Sequence, residues 1–143
     1  MFDFDLNSVD TLAAATVGVE MPLKDLRGRP MKNSAGGEIK LILMGIDSPE
    51  YQAVQIANIR RSSERTVNKA GDDEIIAGRI DDNLRATASC VRGWSGMLDS
   101  CGNEIPYSPD AALELVKRYP AVRDQIENFV ADRVNFLKVS LKN

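Results

Sequence analysis

The chain has 143 residues, 43% of them apolar and 27% charged, with 18 lysines and arginines against 21 acids for a net charge of −3. That length suits one domain with a real core, and the acidic balance gives no overall electrostatic case for a nucleic-acid partner, which calls for a basic surface that releases counterions. Histidine is absent, which removes the commonest general base, the commonest metal ligand and every Ser–His or Cys–His nucleophile scheme.

The first ten residues, MFDFDLNSVD, are acidic and lack the positive n-region of a signal peptide. Whether the first dozen form a strand or an arm is left open. Residues 16–23 (TVGVEMPL) and 38–46 (EIKLILMGI) are short apolar runs bounded by Gly and Pro, which predicts strands. A reversal at residues 33–37 makes them a small antiparallel sheet. On the second strand Ile39, Leu41 and Leu43 share one face and Ile42, Met44 and Ile46 the other, so a helix or a second subunit is expected to cover the far side. The longest apolar run, Ile39 to Ile46, contains Lys40 and is far short of the about 20 residues that cross a bilayer. The expectation is a cytoplasmic protein with no membrane partner.

At Ser48-Pro49-Glu50 a helix begins, with serine as N-cap, proline at the first helical position and an acid in the first turn. Tyr51, Val54, Ile56, Ala57 and Ile59 give it a broad apolar side. From Arg60 to Asp73 it becomes polar except for Val67 and Ala70, and Gly71-Asp72-Asp73 is expected to end it and open the next helix. That next helix is predicted from about Asp73 to Trp94, carrying Ile76, Ile80, Leu84, Ala88, Val91 and Trp94 at spacings of three and four. Ser108-Pro109-Asp110 repeats the helix start. A short helix over 111–119 follows, Pro120 breaks it, and a last helix is expected to run to about Leu141 with Val122, Ile126, Phe129, Val130, Val134 and Leu137 on one side. The predicted fold is α+β in a single domain over 1–143: a small N-terminal antiparallel sheet within 1–47, then a mainly helical part over 48–143 with about four helices.

Few residues are candidates for chemistry. Arg60, Arg61, Arg65 and Lys69 cluster on one helix, but Glu64, Asp72, Asp73 and Glu74 lie within or just beyond them. A solvated helix tip is the plain reading; a protein-contact arm centred on Arg60, Arg61 and Arg65 is the functional one, with nucleic acid behind both. Asp81 and Asp82 are adjacent on a helix and point about 100° apart, so they do not converge on one proton or metal, and Asp81 is placed to pair with Arg85 one turn on. The glycines at 36 and 37 lack the lysine and spacing of a phosphate loop. Cys90 is expected to pack as a small apolar residue and Cys101 to lie in a turn, both as free thiols. The sequence shows no cofactor or metal motif.

The stretch RGWSGMLDSCGNEIPYSPDAA, residues 92–112, concentrates the rare residues. Cys101 has no histidine to activate it. As a corner the stretch is well formed. Gly96 lets backbones approach closely, Gly102 is free to take positive φ in a turn, and Pro106 opens an extended segment. Tyr107 precedes the Ser108 cap, where its ring is expected to staple onto the helix. Trp94 is expected to anchor two helices, its indole N–H finding a carbonyl.

The order Trp94-Ser95-Gly96, Gly102, Pro106-Tyr107-Ser108, Pro120 and Asn135-Phe136-Leu137 resembles the tail assembly chaperones of long-tailed phages and prophages. GGEIKLILMGIDSPEY also resembles their N-terminal half, so the likeness spans roughly residues 36–138. It implies a non-enzymatic protein that binds the tape measure protein, keeps its long helical chain soluble and helps recruit tail tube protein. It also implies a place in the bacterial host cytoplasm and absence from the mature virion. The framework residues would be Trp94, Tyr107 and Phe136. A homo-oligomer is expected from the two apolar sheet faces. The competing reading is a structural phage component, a connector or tail-completion protein, retained in the particle.

Overall fold

The computed structural model describes residues 5–137. Its elements are α1 (Leu12–Val17), β1 (Val19–Pro22), β2 (Lys40–Leu43), α2 (Pro49–Val67), α3 (Asp72–Ser89), β3 (Val91–Ser95), α4 (Pro109–Arg118) and α5 (Pro120–Ala131), with 3-10 turns at Leu6–Ser8 and Arg133–Phe136. The fold is α+β. The three strands pair antiparallel in the order β1-β2-β3.

The sheet is not purely N-terminal, because β3 comes from within the half predicted to be helical. The helix expected to reach Trp94 stops at Ser89. The reason the residues look helical is a β-bulge. Leu43 faces Val91 and Leu41 faces Trp94, with a register shift between Ile42 and Leu43 that leaves Arg92 as the extra residue. The bulge puts Val91 and Trp94, three apart, opposite two residues of a single β2 face. Spacing of three is a helix signature elsewhere in the chain.

Other boundaries move too. Residues 16 and 17 of the predicted first strand belong instead to α1, which Gly18 ends, and β1 keeps only Val19–Pro22. The reversal at 33–37 is present, with the Asn33 N–H donating to the Gly37 carbonyl at 2.8 Å. Ser48 and Ser108 cap α2 and α4, their hydroxyls accepting from the N–H groups of Tyr51 and Ala111. Gly71 does not end α2. Asn68 does, Lys69 turns the chain at φ 55°, and Gly71 is the N-cap of α3. The last helix ends at Ala131, and Leu141 lies outside the described residues.

One face of the sheet is covered. Leu41 and Leu43 are wholly buried with Val116, Ile126 and Phe136, while Ile42 on the other face is 36% exposed. Met44 and Ile46 come after the end of the strand and do not extend that second face. The 3-10 turn after α5 folds Phe136 back into the core, edge-on to Phe129 with ring centroids 5.7 Å apart. Val134, predicted to share the buried side, is 63% exposed because the helix has already ended.

Candidate functional site

Phe136 lies in the core against Phe129, apart from Trp94 and Tyr107; the other residues singled out by the sequence lie in two places, the corner at residues 94–108 and the arm formed by α2 and the start of α3.

In the corner Trp94 sits on β3, not at a helix end, so it anchors the sheet to the hairpin that leads into α4. Its indole N–H donates to the Ile105 carbonyl at 2.8 Å, and its ring meets Tyr107 edge-on at 5.3 Å. The Tyr107 hydroxyl donates to the Val91 carbonyl at 2.6 Å, and burial pushes its pKa upward. Between the two rings the chain makes a hairpin: the Ile105 N–H donates to the Met97 carbonyl and the Asp99 N–H to the Asn103 carbonyl, both at 2.8 Å. The Asp99 carboxylate accepts from the N–H groups of Cys101 and Asn103, and Gly102 takes φ 84°. Gly96 has φ 78°, and a Cβ there would run into the Glu38 carbonyl oxygen. Pro106 is exposed and extends the chain toward the Ser108 cap.

The cysteines separate as expected. Cys90 is buried, with its thiol pushed up to about 12 by loss of hydration, while Cys101 is exposed at the hairpin tip. A thiol held that far up is not a thiolate at neutral pH, so Cys90 is packing rather than a nucleophile. Among the described residues no group of three or more Cys, Asp and Glu is placed to hold a metal ion.

In the arm the basic residues part company. Arg60 is exposed. Arg61 and Arg65 turn inward onto Asp82 of α3, with Nε of Arg61 3.2 Å from one carboxylate oxygen and Nη2 of Arg65 2.9 Å from the other. Asp82 is only 5% exposed. Asn58 Nδ2 donates to the Asp82 carbonyl and its oxygen accepts from Arg61, which closes the network. Gly78 makes it possible: a Cβ at that position would run into the Arg65 guanidinium. Asp81 points elsewhere, to Arg85 at 2.8 Å and Lys117 at 3.7 Å, and the Arg85 hydrogen bond holds its carboxyl below the usual range.

Asp82 is the residue that sequence reasoning passed over. A signal was available: Asn58, Arg61 and Arg65 recur at three and four along α2, and a glycine stands one turn before Asp82 on α3.

With its polar side turned inward, the arm shows apolar residues to the outside. Ile56, Ile59 and Val67 of α2 are 57%, 66% and 76% exposed, and Ile76 and Ile80 of α3 are 57% and 56% exposed. The predicted α3 stripe therefore divides. Ala88 belongs to the core and Leu84 packs against it, whereas Ile76 and Ile80 run out beyond it. No helix among the described residues is long and apolar enough to cross a membrane.

A family model described as YdaY prophage protein matches residues 46–141, from the end of the β2 segment through the arm, the corner and both last helices. No curated protein and no solved structure matches the chain.

Proposed function

The chain belongs to the YdaY prophage protein family, and from that premise we propose that it is a tail assembly chaperone, acting by binding rather than catalysis. Its client would be the tape measure protein, held during tail morphogenesis in the host cytoplasm while tail tube subunits are recruited, with the chaperone left out of the finished virion. The observation that carries the reading is the outer face of α2. Ile56, Ile59 and Val67 fall at helical spacing on the side away from Asn58, Arg61 and Arg65, and all are more than half exposed. Such a row on a helix that protrudes from the core suits the apolar stripe of an amphipathic client helix. The Asp82 network supports it from behind, so the row is presented on a stiff element. The order of Trp94, Gly102, Pro106-Tyr107-Ser108 and Pro120 adds its resemblance to the phage chaperones.

Co-expression with the tape measure protein of the same prophage tests this. The expected result is a soluble complex that co-purifies. An insoluble client with no complex overturns the reading, as do abundant copies of this chain in purified virions by mass spectrometry.

A further inference from the structure

We propose that copies of this chain assemble head to tail, the acidic tip of the arm of one copy seating in a basic-rimmed apolar groove of the next. The groove lies between the loop at residues 23–31 and the α4–α5 junction, holds about 390 Å³, and has Leu26, Met31, Tyr119 and Val122 among its lining. Leu26 is 90% exposed and Tyr119 49%, so two large apolar side chains stand open at its mouth.

The groove is preformed. The Lys24 N–H donates to Oε1 of Gln125 at 2.9 Å, and Nε2 of Gln125 donates back to the Lys24 carbonyl at 2.7 Å, pinning the loop to α5. Its rim is basic: Lys24, Arg27 and Arg29 line it. The acid among the lining residues, Asp25, is engaged within the loop, accepting from the Arg27 and Arg29 N–H groups and from Nε of Arg29. In a chain of net charge −3 this is a local field of the opposite sign.

The tip of the arm is its complement. Asp72, Asp73 and Glu74 open α3 and are exposed, with Ile76 and Val67 exposed beside them. Lys69 is the one cation in the sequence between Val67 and Ile76. Arg61 and Arg65 pair with Asp82 and share a recess with Glu74 at the base of the tip. The tip cannot reach the groove of its own chain. Lys117 lies 3.7 Å from Asp81, which fixes the end of α4, and the groove with it, beside the middle of α3. Asp72 is more than two turns further along, about 13 Å at 1.5 Å per residue. The contact therefore joins different surfaces of two copies, a heterologous interface that propagates or closes into a ring.

Light scattering on the full chain at low and high salt tests the proposal, with two charge reversals: Lys24→Glu with Arg27→Glu in the groove, and Asp73→Lys with Glu74→Lys at the tip. All four are exposed, and circular dichroism melts verify that each variant folds. Wild type is expected to form dimers and larger species at low salt that fall toward monomer as salt screens the contact. Each variant alone is expected to be monomeric, since its tip and groove then carry the same sign. An equimolar mixture is expected to reassemble, because each variant's tip then matches the other's groove. A monomeric wild type at low salt overturns the proposal, as does a mixture that stays monomeric or a groove variant that still assembles. No client enters these measurements, so they stand apart from the chaperone test.

Discussion

The corner and the arm both concentrate residues that look functional in the sequence, yet they use them in opposite ways. At the corner the polar atoms of Trp94, Asp99, Tyr107 and Ser108 all go to backbone groups of residues no more than 16 positions away. In the arm Arg61 and Arg65 each donate to one carboxylate, 21 and 17 positions away on another helix. The corner is held by satisfying main-chain partners, so its side chains are largely spent on shape. The arm is held by a buried charge network, which turns the polar side in and leaves the apolar side to solvent. That inversion is what gives the molecule a surface to offer.

The strongest way to break the comparison is Asp82→Ala. It leaves two arginines without their shared anion in a partly dehydrated seam. Loss of one partner of a buried charge pair costs about 3–5 kcal/mol, and the lower end applies because the Arg61 side chain is 44% exposed and can rehydrate. Urea unfolding measures the loss. Hydrogen exchange is expected to place it in the second half of α2 and the first half of α3, with Trp94 fluorescence unchanged. Loosening of the corner in step with the arm would show that the two regions are one cooperative unit.

At the corner the corresponding lesion is Gly96→Ala. A φ of 78° costs a residue with a side chain about 1–3 kcal/mol from the backbone alone, and the new Cβ meets the Glu38 carbonyl oxygen. Lys40 pairs with Ser95 in the register beside it, so the damage is expected in the β2–β3 ladder. Chemical denaturation reads the magnitude, and exchange of the ladder amides reads the place, with the arm amides unchanged.

How much of each region was visible in the sequence depends on the same distinction. The two Ser-Pro helix starts, the turn through Gly102 and the carbonyl partner of the Trp94 indole were legible, because they are local chemistry with strong residue preferences. β3 was not, since a bulge at Arg92 gives Val91 and Trp94 a helical spacing while pairing them with Leu43 and Leu41, some fifty positions earlier. Asp82 was legible as one of two diverging acids, but its burial depends on which helix lies against it. The outward turn of Ile76 and Ile80 was hidden for a related reason: they continue a stripe whose C-terminal half does pack, and nothing local says where the neighbouring helix ends.

Tyr107→Phe sharpens the account of the corner. The ring contact with Trp94 remains, and the loss is the hydroxyl on the Val91 carbonyl at 2.6 Å. A net hydrogen bond contributes about 0.5–1.5 kcal/mol, and the half-buried position of Tyr107 allows water to replace part of it. Thermal or urea unfolding is expected to show a loss of about 1 kcal/mol, smaller than Gly96→Ala. A larger loss would mean that the Val91 carbonyl has no access to water and that the bulge depends on this one hydroxyl.

The smallest effect is the most discriminating, because it concerns the residue next to Asp82. Asp81 and Arg85 are 43% and 51% exposed in their side chains, so their pair is screened by solvent and contributes only a few tenths of a kcal/mol. Arg85→Gln is therefore expected to shift the urea midpoint slightly at neutral pH. The hydrogen bond to Arg85 lowers the carboxyl pKa in the folded state, so the stabilisation is present above the unfolded value and is lost as pH falls through the folded one. Wild type and Arg85→Gln should differ slightly above about pH 5 and converge in acid, near and below the ordinary carboxylate range. Comparing Arg85→Gln with Asp82→Ala across that range separates two adjacent aspartates. If Arg85→Gln costs as much as Asp82→Ala, the distinction between a buried brace and a solvated pair on the same helix is wrong, and the arm is held from both sides.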